Sequence, residues 1–204
     1  VAAIPVGLLV GKLKGVDLRE IGSGNIGATN AVRALGPALG AFVFLLDVAK
    51  AGAPLAFAMQ DPELVNASPI AAWPNTWVAA VGFACVLGHV YPVYLKFQGG
   101  KGVACALGIL AVVHWPTACA TVAMYAVLIG LVRVSSVASL GALTCACAIA
   151  AVSDFDPAYR ILVLLMTGVI WLRHRENLAE LPDKLIAAGQ KRRAASGPAD
   201  EDPA

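Results

Sequence analysis

Long apolar stretches separated by short polar segments dominate the chain. No Asp, Glu, Lys or Arg occurs in 64–95, in 102–132 or in 134–153. A helix needs about 20 apolar residues to cross a bilayer, so these runs predict an all-α polytopic membrane protein. Residues 1–11 are apolar but short, which fits a truncated first helix or a start placed too late. Spans are expected at 36–59, 73–95, 136–152 and 158–173. The run 103–132 would make about 45 Å of helix, more than one crossing requires, and it holds Pro116 at its centre. Because proline opens a helix at its first turn, two short helices, 102–114 and 116–132, are expected. The total is about seven transmembrane helices, some short, the first apparently truncated. A loop is expected over 60–71.

Charge tests that layout. With the first end outside, the inner segments hold Lys12, Lys14, Arg19, Arg33, Lys96, Lys101, Arg133, Arg173, Arg175, Lys184, Lys191, Arg192 and Arg193, thirteen of the 15 basic residues. The outer segments hold Asp61, Glu63, Asp154 and Asp156 with Arg160. This obeys the positive-inside rule; a single helix over 103–132 would turn the basic tail outward. One membrane domain over 1–180 is expected, followed by a basic, then low-complexity, cytoplasmic tail over 181–204 that reads as disordered. The 59% hydrophobic and 14% charged composition, with mean hydropathy +0.75, disfavours a soluble globule. Cys85, Cys105, Cys119, Cys145 and Cys147 fall in apolar stretches without metal-ligand spacing; they read as small buried hydrophobes.

The polar segments all fall on the inner side, which favours a site at the membrane–cytosol boundary over a path through the bilayer. Gly99-Gly100-Lys101-Gly102 offers unshielded N–H groups and an ammonium, an anion nest; a tight turn with a snorkelling lysine fits equally. It lacks the Walker spacing, so nucleotide hydrolysis has no support. The segment 22–33, GSGNIGATNAVR, sets Ser23, Asn25, Thr29 and Asn30 among glycines ahead of Arg33. These are donors for phosphate and hydroxyl oxygens; the alternative is a turn with Thr29 or Asn30 capping the next helix. Residues 173–177, RHREN, put His174, Arg175 and Asn177 beside the last span, as pocket groups or as a basic anchor. Asp47 and Lys50, three apart inside a span, are expected to pair structurally, with a proton relay as the other reading. His89 reads as a buried neutral histidine bonding a neighbouring helix. No role is assigned to His114.

In order and spacing these pieces resemble the bacterial acyl-phosphate-dependent glycerol-3-phosphate acyltransferases, the PlsY family. The resemblance rests on AIPVG at 3–7, GVDLREIGSGNIGATNAVRALG at 15–36, LLDVAKAG at 45–52, GHVYPVYLKFQGGKGVA at 88–104, VSS at 134–136 and RHRENL at 173–178. It implies seven transmembrane helices, an outward N-terminus and an inner-membrane site facing the cytoplasm. It also implies acyl transfer from acyl phosphate to the 1-hydroxyl of sn-glycerol 3-phosphate, giving lysophosphatidic acid and phosphate, the first step of bacterial phospholipid synthesis. Carried over residue by residue, it assigns catalysis to Lys101, His174, Asn177, Ser23 and Arg33. Substrate binding falls to Gly22, Asn25, Thr29, Asn30, Gly99, Gly100, Gly102, Ser135, Ser136 and Arg175, with Ser135 and Ser136 unranked. No cofactor, metal or nucleic acid is called for; membrane lipids surround a monomer. The family's closing motif continues to a Gly-x-Glu with no clean match here, where Glu180 or Asp183 are the substitutes. The runners-up are a small transporter, disfavoured by one-sided loops without an internal repeat, and a metal-dependent lipid phosphate enzyme, disfavoured by the lack of clustered aspartates.

Overall fold

In the computed structural model, residues 1–66 and 75–182 are described. The loop around Pro69, Asp183 and the low-complexity tail lie outside the described residues. The described chain is helical: α1 Val6–Leu13, α2 Ala28–Leu35, α3 Pro37–Met59, α4 Pro62–Asn66, α5 Thr76–Val90, α6 Val103–Val113, α7 Trp115–Val132, α8 Ser135–Val152 and α9 Pro157–Ala179. Four of these are long and apolar enough to cross a membrane: α3, α5 with its 3-10 extension to Leu95, α7 and α8.

The division of the long apolar run falls where proline predicts it. His114 is extended, at φ −161°, and α7 starts beside Pro116. The His114 ring accepts the Thr117 N–H at 3.3 Å, capping the new helix. The expected span 36–59 stands as α3; Gly36, at φ +88°, ends a separate short helix, α2, in the polar stretch ahead of it. Two expectations are corrected. The segment after Asp61 is not all loop, because α4 forms there. The last span does not stop at 173, because α9 runs on through RHREN to Ala179.

Small residues set the packing, as expected where backbones approach in a membrane. An added Cβ on Gly108 would run into the Val48 carbonyl, and one on Gly52 would lie 3.0 Å from the Gly108 oxygen; α3 and α6 therefore touch backbone to backbone. Leu55, Val86, Ile109, Leu162, Met166 and Ile170 fill the centre. Cys85 and Cys105 are buried as expected, but Cys119 is exposed on α7.

Asp47 and Lys50 do pair, at 2.8 Å, both almost wholly buried. The Lys50 ammonium also donates to the Ile4 carbonyl at 2.8 Å, tying α3 to the chain ahead of α1. Removing one member strands the other charge. Lys50→Met is therefore expected to cost about 3 kcal/mol, read as a lowered thermal midpoint in detergent, with Asp47→Asn/Lys50→Met recovering most of it.

Candidate active site

A cavity of about 1270 Å³ opens where three helices begin. Gly27, Ala28 and Thr29 bring the start of α2 to its wall, Gly102 and Val103 that of α6, and Val134 and Ser135 that of α8. Helix starts carry N–H groups without intrahelical partners and the positive end of the helix dipole. None of the three has a side-chain cap or an acidic residue in its first turn. Arg33, Lys101 and Arg133 line the same cavity. The wall is thus built for anions.

Within segment 22–33 the polar residues divide the work. Asn30 is buried, and its amide donates to the Leu18 and Ile21 carbonyls, both at 2.9 Å, while its Oδ1 accepts the Ser23 N–H at 3.1 Å. Its amide nitrogen is spent on folding the loop, and Asn30 lines the cavity as part of the wall it shapes. Neither it nor Thr29 caps α2, whose N-cap is Gly27. Gly22 takes φ +60°, and an added Cβ would strike Asn30 Oδ1. Asn25 Oδ1 accepts the Gly27 N–H at 2.8 Å, which leaves its amide nitrogen for other partners. Ser23, Asn25, Thr29 and Arg33 line the cavity. Across it, the Thr29 and Ser135 hydroxyls are 3.4 Å apart, and Ser135 also bonds the Tyr125 hydroxyl at 3.0 Å. Ser136 lines the wall beside it. Tyr125 was not foreseen; a tyrosine inside an apolar span carries no local signal of a polar partner.

The glycine loop is corrected in part. The Gly99 N–H donates to the Val90 carbonyl and the Gly100 N–H to the His89 carbonyl, each at 3.1 Å. Both residues are buried and neither lines the cavity. They are the loop's foundation, not an anion nest. Lys101 and Gly102 are its working part: Gly102 takes φ +88° as the N-cap of α6, and the Lys101 ammonium donates to Asn177 Oδ1.

From α9, the cavity receives His174 and Asn177, three apart on one face. Arg175 lies on the exposed face and outside the lining, a correction that follows from the 100° turn per residue of a helix. Arg175→Ala is expected to keep turnover within about twofold, as for a surface substitution, measured as phosphate release. Arg173, read only as an anchor, instead donates to the Gly99 carbonyl at 3.3 Å and lies 5.5 Å from the Tyr91 ring centre. His174 Nδ1 is 2.8 Å from the Ile170 carbonyl. A carbonyl only accepts, so Nδ1 carries the proton and Nε2 is left as an acceptor. Glu180 caps the C-terminal end of α9. Farther out, the Arg19 guanidinium beside Asp17 holds that carboxyl at about 2.

The same cavity also has an apolar part, lined by Phe44 of α3, Leu107 of α6, Ile129 of α7 and Leu143 of α8. It can hold an anionic head and a hydrocarbon tail together. Among the described residues no group of three or more His, Cys, Asp or Glu is placed to hold a metal.

A family model described as glycerol-3-phosphate acyltransferase matches residues 1–184. A glycerol-3-phosphate acyltransferase of Anaeromyxobacter sp. (strain K) is 45% identical over 184 residues, covering 88% of this chain and 87% of the relative. One of Myxococcus xanthus (strain DK1622) is 43% identical over 180 residues, covering 88% and 89%. Among solved structures, the glycerol 3-phosphate form of PlsY, an integral membrane glycerol 3-phosphate acyltransferase, matches with a TM-score of 0.81 at 36% identity, covering 90% of this chain and 87% of that one. Its lysophosphatidic acid form matches with a TM-score of 0.79 at 34% identity.

Proposed function

The chain belongs to the glycerol-3-phosphate acyltransferase family, and we propose that its cavity is where the family's reaction takes place. The enzyme transfers an acyl chain from acyl phosphate to the 1-hydroxyl of glycerol 3-phosphate, giving lysophosphatidic acid and phosphate. One observation carries the assignment of the site: a single cavity joins three helix starts and Lys101, Arg33 and Arg133 to an apolar part. Two phosphates fit the first half and one acyl tail the second.

The proposed step is direct. The 1-hydroxyl oxygen attacks the acyl carbonyl carbon, a C–O ester bond forms, and the bond from that carbon to the phosphate oxygen breaks. The hydroxyl proton ends on the departing phosphate. Acyl phosphate is a mixed anhydride with a good leaving group, so no covalent acyl-enzyme is needed; holding both substrates side by side supplies the proximity. Lys101, Arg33 and the first N–H groups of α6 and α8 stabilise the developing negative charge. Ser23, Asn25, Thr29, Ser135 and Ser136 contribute hydroxyl and amide contacts to the phosphates. His174 orients the attacking hydroxyl, and the Asn177 amide nitrogen donates to the reacting group.

The proposed topology has seven crossings, formed by α1, α3, α5, α6, α7, α8 and α9, in an inner membrane. The N-terminus lies outside, the cavity mouth faces the cytoplasm, and the protein works as a monomer. The thirteen inner-side basic residues support that orientation. Purified protein should release phosphate from acyl phosphate only when glycerol 3-phosphate is present, and should not use acyl-CoA or acyl-carrier protein. Failure with every donor, or a trapped acyl-enzyme formed from labelled acyl phosphate alone, would defeat the respective half of this reading.

A further inference from the structure

Gly100 has no room for any side chain. A Cβ there would fall on the His89 imidazole, on Nε2 and 2.6 Å from Cε1. The ring is only 5% exposed. Its other side faces Asp47, with Nδ1 3.7 Å from Oδ1, and Asp47 is held in turn by Lys50. Above the ring, the Gly99 and Gly100 N–H groups bond back onto the last carbonyls of α5, that of His89 included. The glycine loop is therefore laid flat on the end of α5, backbone against ring, one residue before Lys101.

We infer that His89 is a positioning residue for the acyl transfer: its imidazole, packed against the Asp47–Lys50 pair, is the platform that sets the height of the Gly99–Gly102 loop and so aims Lys101 and the start of α6. The inference rests on the proposed site. It differs from a plain core-packing role, because a core histidine would affect stability alone, whereas a platform must affect where the loop places its charges. It also explains why the second glycine is required at 100 although its φ is not positive and its N–H is already bonded. The requirement is for absence of bulk over one ring.

The test is a double-mutant cycle. A displacement of about 1 Å in a positioning element costs on the order of 100-fold. Gly100→Ala is expected to lower kcat/KM by roughly that factor, in kcat through the misaimed Lys101 and in KM for glycerol 3-phosphate through the displaced start of α6, with KM for acyl phosphate little changed. His89→Ala, which leaves the loop on its backbone bonds, is expected to lose about tenfold. The double variant, in which the added methyl occupies the vacated ring space, should perform within about threefold of His89→Ala alone. Gly102→Ala, whose strain is its own φ of +88°, should gain nothing from His89→Ala.

Losses that multiply in the double variant, or a Gly100→Ala protein as active as the parent, would overturn the inference. So would equal changes in both KM values. If Gly100→Ala gives no folded protein, recovery of folded yield in the double variant supports the inference and continued loss overturns it. The shift in thermal midpoint on adding glycerol 3-phosphate reads the same cycle without turnover. A parent that is inactive with every donor but shows the coupling by this route would count against the reaction and not against the platform.

Discussion

Lys101→Ala is expected to lower kcat/KM about 100- to 1000-fold, the loss typical of removing one preorganised charge-stabilising donor, while the protein still folds. Folding should survive because the loop is held by Gly99 and Gly100 on α5 and by Arg173 on the Gly99 carbonyl, none of which involves the lysine side chain. The loss should appear largely in kcat, because negative charge grows on the carbonyl and bridging oxygens as the transition state forms. Lys101→Arg is not expected to restore the rate. The ammonium sits against Asn177 Oδ1, and a planar guanidinium presents its donors in a different geometry. Asn177→Asp tests the same contact from α9. The carboxylate would draw the ammonium into an ion pair and lose the amide donor, so a loss of similar size is expected. Either variant retaining more than a third of the parental kcat/KM, in a phosphate-release assay with both substrates varied, would remove this pair from the centre of the reaction.

Much of this was legible in the sequence because membrane helices announce themselves. Uncharged runs and Pro116 placed the apolar helices, and the one-sided glycine-rich and basic segments marked the end of the bundle where the cavity lies. What remained hidden is three-dimensional bookkeeping of donors. Nothing local in Gly99-Gly100-Lys101-Gly102 says that two of its N–H groups are spent on α5. Nothing in GSGNIGATNAVR says that Asn30 is bonded to Leu18, Ile21 and Ser23 while Thr29 reaches Ser135, 106 residues away. The exchange of roles between Arg173 and Arg175 has the same origin. RHREN placed beyond a span ending at 173 leaves both arginines free, whereas RHREN as the continuation of α9 allows only one helical face to meet the cavity. Tyr125 was missed because its neighbours on α7 are apolar and its partner is on another helix.

His174→Ala is expected to lower kcat about 100-fold, the loss expected when a reacting group is no longer held in its attacking geometry. The reason lies in one bond. Nδ1 donates to the Ile170 carbonyl one turn back in its own helix, which fixes the tautomer and turns the ring so that Nε2 is the nitrogen offered as an acceptor. A phosphate oxygen also only accepts, so neutral Nε2 suits the 1-hydroxyl of glycerol 3-phosphate, whose proton it can hold while the oxygen attacks. Two replacements separate this from a merely structural role. Glutamine places an amide oxygen near the position of Nε2 and should restore part of the rate. Asparagine places its amide near Nδ1, can keep the bond to Ile170, but offers nothing at Nε2, and should stay close to the alanine value. If asparagine recovers the parental kcat and glutamine does not, the Ile170 bond is all that the imidazole supplies, and the attacking hydroxyl must be oriented by another group on the wall.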